Sequence, residues 1–509
     1  MNRTTHHPIF SLEEVFSIIF RYCATPSGSP CTTLQIVDYG ALHSDYGTLA
    51  SVARTCRSFH EPALDVLYSR VDIACLVQCL PQDLWYKDES LVLHFRRTME
   101  LQDWDHFLRY SRRVRTLSIN PPFAINQNIF QALSHPLTNG SEIFPRLVDL
   151  EVIGLTNHDF ASLLLTRNLT SLSIFFIEGD AIATNIIPSL SSTCPSLRRI
   201  KLARSGQYIS NETVGAICEV LCKLPLLEDV DCPRILASDQ VLSHLACLPS
   251  LKQLSIALPA YLPEKTGNSG TIFQTLRKLS LSSSEPQSCL QLLESVTSPC
   301  VESIVLSTAE VFSTEISRKL FTSISSHQSI MRIIITERSW SALPENYGIY
   351  LNILDPLLHL HNLQHLRLSS ASTYSVDDAT LSKMASAWPH LESLRLWPPK
   401  KWEAEARITL PGIIPLLQCC PKLCFFGTAV NAALPIADVS AYSACNHSKI
   451  SLDVGASPIL DPASVAAFLS CVMPNLGFIS ALDTSNMRPS LRAYGTRWKQ
   501  VKAIIGIAT

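Results

Sequence analysis

Along most of this chain the apolar positions fall into one short figure, repeated at a near-constant interval and separated by stretches with helical spacing. Three segments show it most plainly: Pro195-Ser196-Leu197-Arg198-Arg199-Ile200-Lys201-Leu202, Pro249-Ser250-Leu251-Lys252-Gln253-Leu254-Ser255-Ile256 and Pro389-His390-Leu391-Glu392-Ser393-Leu394-Arg395-Leu396. Each reads Pro-x-Leu-x-x-Leu-x-Leu, with Ile200 and Ile256 each standing for a leucine. The same triplet recurs at Leu147/Leu150/Val152, Leu169/Leu172/Ile174, Leu227/Val230/Cys232, Leu276/Leu279/Leu281, Val301/Ile304/Leu306 and Leu363/Leu366/Leu368. Weaker copies stand at Val114/Leu117/Ile119, Leu423/Phe426 and Leu476/Ile479. Successive triplets starting at 197, 227, 251, 276 and 301 leave room for one short strand, one helix and two turns. Self-similarity at such a period marks a stack of supersecondary units.

The period of two within each triplet predicts a strand. Its fourth and sixth positions point into the body and its third and fifth point out. The intervening stretches predict helices. Leu381, Met384, Ala385 and Trp388 recur at helical spacing behind a capping-box-like Ser375-x-x-Asp378, and Val214, Ile217 and Leu221 make a similar stripe. The proline before each triplet stops the helix, because the residue preceding proline is pushed out of the α region. Strand and helix alternating in one direction predict a parallel sheet on the inner side and helices outside.

This pattern resembles the leucine-rich-repeat family in its longer, helix-containing class. About a dozen irregular repeats are expected from residue 112 to 509, and the resemblance implies an α/β solenoid. The chain departs from the family at the ninth position, where Asn or Cys is usual. Here that position holds Ser205, Ile235, Pro259, Ser284, Ala309, Ala371 and Pro399, so irregular turns are expected.

Residues 1–75 read differently. Ile9, Leu12, Val15, Phe16 and Ile19 follow Pro8 as an amphipathic helix, and a polar insertion runs through about 24–47. Then come Leu49-Ala50-Ser51-Val52-Ala53-Arg54-Thr55-Cys56-Arg57-Ser58-Phe59 and Pro62-Ala63-Leu64-Asp65-Val66-Leu67-Tyr68. With Pro8, Leu49, Val52, Cys56, Arg57, Phe59, Leu67 and Tyr68 in matching places, this all-α segment resembles an F-box. Residues 76–111 are read as a helical linker or cap. The F-box resemblance implies docking on a Skp1-like adaptor of a cullin complex, with Pro8, Leu12, Val15, Phe16, Leu49, Val52 and Phe59 as adaptor contacts. It further implies a substrate-recognition subunit of a ubiquitin ligase, whose repeats hold an unknown protein substrate by raising its effective concentration. The alternative from the residues alone is a repeat scaffold with no ubiquitin link, in which this segment only caps the exposed end of the stack.

Composition narrows the chemistry. Apolar residues make up 47% of the 509 and charged residues 17%, too apolar for a disordered chain. A formal charge of −2 gives no basic field for nucleic acid or an anionic membrane, so neither partner is expected. The 17 cysteines are scattered, and with no secretory segment evident they are expected as buried thiols in a cytoplasmic or nuclear setting, Cys75, Cys79, Cys218 and Cys222 among them. The uncharged run Val465–Leu482 contains Met473-Pro474-Asn475 at its centre and predicts a helix followed by a buried strand, not a membrane span.

No phosphate-cradling glycine loop, His-Glu-x-x-His or Gly-x-Ser-x-Gly is present, so no enzyme, cofactor or metal is expected. Cys419-Cys420-x-x-x-Cys424 has the wrong spacing for a zinc knuckle, and His6-His7 lies near the N-terminus. The outward strand positions carry charges in bands: Arg198, Arg199 and Lys201, then Glu228, Asp229 and Asp231, then Lys252, Arg277 and Lys278, then Glu302. Arg199 with Asp229 reads as a cross-strand ion pair. Arg198, Lys201, Lys252, Arg277 and Lys278 are the expected partner-binding residues, with Lys252, Arg277 and Lys278 as a basic run. Trp402, beside Lys400 and Lys401, and the loop Tyr261–Gly270 are further candidates.

Overall fold

The structure is a computed structural model that describes residues 46–120, 125–135, 142–154, 157–176, 185–204, 210–262, 273–338, 353–369, 376–397, 406–436, 443, 445, 448–481 and 489–507. The chain divides into two compact units, Met1–Leu227 and Glu228–Thr509.

In the first unit the sheet strands are β1 (Arg70–Asp72), β4 (Thr116–Ile119), β5 (Asp149–Ile153), β6 (Ser171–Phe176) and β7 (Arg199–Arg204). All pair in parallel and in that order. Between the first two lies an antiparallel hairpin, β2 (Trp85–Lys87) with β3 (Leu93–Phe95). In the second unit the sheet runs through β8 (Asp229–Leu236), β9 (Gln253–Ala257), β10 (Lys278–Ser283), β11 (Ser303–Thr308), β12 (Arg332–Glu337), β13 (His365–Ser369) and β14 (Ser393–Trp397). It continues with β16 (Phe425–Gly427), β18 (Ile450–Gly455) and β19 (Leu476–Ala481). These too are parallel, while β15 (Ile408–Thr409) and β17 (Val430–Asn431) form a separate two-stranded ladder. Each unit is thus a stack of strand–helix repeats, the leucine-rich-repeat solenoid arrangement.

The register explains the sequence pattern. Leu254, Leu279, Ile304, Ile333, Leu366 and Leu394 lie side by side across six strands, and each is buried. Ile256, Leu281, Leu306, Ile335, Leu368 and Leu396 form a second buried row. A row of branched side chains one strand apart fills the layer beneath the sheet, and burying each contributes roughly 1.5–3 kcal/mol. The intervening positions are partly or fully exposed.

Helices close the other side. The helix Asn211–Lys223 is capped by Ser210, whose hydroxyl accepts from the Thr213 N–H, and buries Thr213, Ile217, Val220 and Leu221. Val214 is only half-buried, so the stripe lies a little to one side of the expected one. In the helix Asp378–Ala387 the cap is Asp377, which accepts from the Thr380 N–H, not a box built on Ser375. Asp378 instead reaches the Thr409 N–H at 2.8 Å and hydroxyl at 2.7 Å. Ser375 lies outside the described residues.

The stretch after residue 461 matches its expectation: helix Pro462–Val472, then a turn, then β19. Among the described residues no helix is long and apolar enough to cross a membrane. Two features depart from the sequence reading. The parallel sheet begins at β1, within residues 1–75 and before residue 112, because Arg70, Val71 and Asp72 pair with Thr116, Leu117 and Ser118. Cys75 is exposed and Cys79, Cys218 and Cys222 are half-buried, so these thiols are not core residues; Cys194, Cys232, Cys289 and Cys420 are.

Candidate partner-binding surface

The N-terminal segment contributes two described helices, Tyr46–Ala53 and Arg57–Leu67. Leu49, Ala53, Ala63 and Val66 are buried between them, and Val52, Phe59, Leu64 and Leu67 pack against that cluster. The helix Arg57–Leu67 is tied down by Arg113, whose guanidinium bonds Glu61 and Asp65. Tyr68 and Tyr110 bring their rings to 4.6 Å, and the Ser69 carbonyl accepts from the N–H groups of Arg115 and Thr116 at 2.9 Å each.

These contacts sort the expected adaptor residues. Leu49, 1% exposed, belongs to the small core and offers no surface. That is a correction to its expected role, and its cause is simple: two short amphipathic helices bury each other's apolar faces before any partner arrives. Val52 and Phe59 are half-buried and divide between packing and surface. Pro8, Leu12, Val15 and Phe16 lie outside the described residues.

On the strand face of the first unit Arg199 and Lys201 are exposed, as the alternation requires, and Arg198, just before β7, is exposed as well. The carboxylate near Arg199 in that unit is Asp149, 4.0 Å away. In the second unit the Lys252 ammonium donates to Glu228 at 2.7 Å, and the Arg277 guanidinium donates to Glu302 at 2.9 Å. Lys252 and Arg277 are therefore no free basic run: an acid just before β8 closes one and an acid just before β11 closes the other. Pairs this exposed contribute about 0–1 kcal/mol each. Among the described residues Lys278 has no ion pair. Tyr261 is 83% exposed at the start of its loop, while Trp402 lies outside the described residues.

Further along the second unit the face changes character. Arg332, Arg367 and Arg395 occupy outward positions on consecutive strands, with Arg367 opposite Arg395 in register. The Arg395 guanidinium lies over the Phe425 ring, 3.6 Å from its centre. Burial first, and the Arg367 charge beside it second, hold the Arg395 guanidinium below its ordinary range, while Asp453 pulls the other way. Burial likewise raises the Asp453 carboxyl, against the stabilising Gly455 N–H and Arg395. His365, opposite Arg332, sits 3.7 Å from Glu392. Its pKa is lowered by burial and then by Arg332, so it stays neutral near pH 7. This group lies beyond the charge bands that end at Glu302, although each of its arginines occupies an outward slot of the repeat and so carries a sequence signal.

Among the described residues no group of His, Cys, Asp and Glu is arranged to hold a metal ion. Cys420 fills the helix-end slot as Cys194 does in its own repeat, with its thiol donating to the Trp388 carbonyl at 3.3 Å. Burial pushes that thiol up to about 12, with the neighbouring Cys419 adding to the rise, so it remains protonated.

No family model matches the chain, and no curated protein matches it. Among solved structures, an internalin (inlF) from Listeria monocytogenes aligns at 12% identity and a TM-score of 0.32, covering 69% of this chain and 92% of that one. A yeast Rad7 and Elc1 complex aligns at 13% identity and a TM-score of 0.35, covering 94% of this chain and 91% of that one.

Proposed function

We propose that the chain is a non-catalytic receptor: its strand face holds a partner protein, and its N-terminal helical segment engages a Skp1-like adaptor of a cullin-containing ubiquitin ligase. The observation that carries the binding half is the recurrence of charged side chains at outward strand positions, Arg199, Lys201, Lys278, Arg332, Arg367 and Arg395 among them, above buried rows that are mainly apolar. Such a face presents many directional contacts on a rigid base, which suits recognition of a protein surface. The ligase half rests on the residues shared with the F-box pattern. A receptor of this kind works by tethering, raising the local concentration of a bound protein near the conjugating machinery without chemistry of its own.

A second reading, a repeat scaffold without a ubiquitin link, is favoured by one observation: Leu49, Val52 and Phe59 are engaged in packing the helix pair and, through Arg113, that pair caps the first strands. The two readings separate in a binary experiment. Purified full-length chain mixed with a purified Skp1-type adaptor is expected to co-elute as a complex on size exclusion. Leu12→Asp combined with Val52→Asp should abolish co-elution, with circular dichroism and a thermal melt showing that the variant is still folded. Absence of a complex with the intact chain would leave only the scaffold.

A further inference from the structure

On the strand face of the second unit, cations are treated in two ways. Lys252 and Arg277 are closed by Glu228 and Glu302. Arg332, Arg367 and Arg395 are not: among the described residues none of the three has an ion pair, and the one side-chain hydrogen bond of Arg367 goes to the Ser369 hydroxyl at 3.4 Å. Three guanidinium groups on β12, β13 and β14 thus stand without a carboxylate at ion-pair distance among the described residues, two of them directly opposite each other, with Asp453 acting on Arg395 only from further off.

Arg395 is also held in a set orientation. Its planar group is stacked on Phe425, which supports one face and leaves the in-plane N–H donors at its edge. In the same row the next residue is the buried Gly427, and beyond it comes Asp453. A guanidinium edge of this kind matches a planar two-oxygen anion, and charge-assisted pairs of that geometry are about twice as strong as neutral hydrogen bonds.

The flanking residues select among anions. Asp453 on one side and Glu392 on the other are carboxylates, so a polyphosphate strand carrying a charge at every unit would meet repulsion at both borders. The chain's overall charge of −2 adds no long-range attraction for such a polymer. A peptide can instead set single carboxylates against the separate guanidinium groups and pass small neutral residues over Ser393 and Ser451, which occupy the adjoining outward positions.

We propose that Arg367 and Arg395, with Arg332 beside them, are the docking point for an extended, acidic segment of a partner protein, recognised through its carboxylates. This rests on the partner-binding reading above and assigns its anchor. The test is fluorescence anisotropy of the full chain with a labelled peptide of alternating Glu and Ser, its Gln-for-Glu counterpart, and oligo-dT of the same length. The Glu peptide alone is expected to bind, less tightly as salt rises. The double variant Arg367→Gln/Arg395→Gln should weaken it about tenfold or more. Arg395→Lys should also weaken it, since an ammonium offers neither fork nor stack, and Lys319→Gln on the helix Thr314–Ser325 should leave it unchanged.

Thermal melts accompany each variant, and Arg395→Lys with Arg332→Gln serve if the double variant does not fold. Binding of no probe, equal binding of the Gln peptide, tighter binding of oligo-dT, or an unaltered affinity in the folded variants would overturn the proposal. In affinity capture, a double variant that keeps every captured protein sinks the anchor and spares the receptor reading. A wild-type chain that captures nothing sinks the receptor reading itself.

Discussion

His327 shows how much a single buried group depends on its surroundings. It is 7% exposed, and its Nδ1 donates to the Ser298 carbonyl at 3.2 Å. Burial lowers its pKa, which the carbonyl contact only partly offsets. In the unfolded chain an imidazole titrates near about pH 6.5. Below that value the unfolded state takes up a proton that the folded state refuses, so stability falls with pH until the folded pKa is passed. The melting temperature should therefore drop between about pH 7.5 and pH 5.5, and His327→Gln should drop by less over the same range; equal losses would show that His327 does not set the slope. Asp378 makes the matching point about legibility. A capping role for it was readable from local spacing, yet its carboxylate serves Thr409, 31 residues on, and a Cβ on Gly412 would lie 1.9 Å from its Oδ1. Local sequence cannot report a partner that far along the chain, so the cap fell to its neighbour Asp377.

At the level of elements, strands announced themselves wherever leucine held the triplet. Three strands of the parallel sheets escape that pattern, as do the hairpin β2/β3 and the ladder β15/β17. β12 uses Ile330, Ile333 and Ile335 with no proline before it, β18 uses Ile450, Leu452 and Val454, and β1 has only Val71 at its centre. The geometry asks for a branched apolar side chain at these positions, not for leucine, so a pattern keyed to Leu undercounts. The missed strand β12 carries Arg332, which is one reason the guanidinium group was not seen. The charged bands failed for a different reason: register decides which acid meets which base. Glu228 and Glu302 bracket Lys252 and Arg277, and the apparent basic run is largely neutralised. Because these pairs are half or more exposed on the basic side, Glu228→Gln or Lys252→Gln should change stability by less than about 1 kcal/mol in chemical denaturation. A loss several times larger would mean that the pair is a structural tie and not a surface feature.

For the molecule as a whole, the repeat explains both what is buried and what is offered. The inward rows hold each unit together, and the outward positions leave cations in two states: Lys252 and Arg277 paired, and Lys278, Arg332, Arg367 and Arg395 without an ion pair among the described residues. The fold was legible because it rests on a periodic apolar pattern, whereas the partner-binding residues were only partly legible because pairing, stacking and burial are set between strands. The reading of the chain as a two-ended receptor is tested most directly by quantitative affinity capture from cells with two full-length baits, the wild type and the folded Leu12→Asp/Val52→Asp variant. The expected result is that the wild type recovers a Skp1-type adaptor together with further proteins, and that the variant loses the adaptor while the further proteins remain at similar abundance. Recovery of no adaptor by the wild type, or identical recoveries by both baits, would contradict the account.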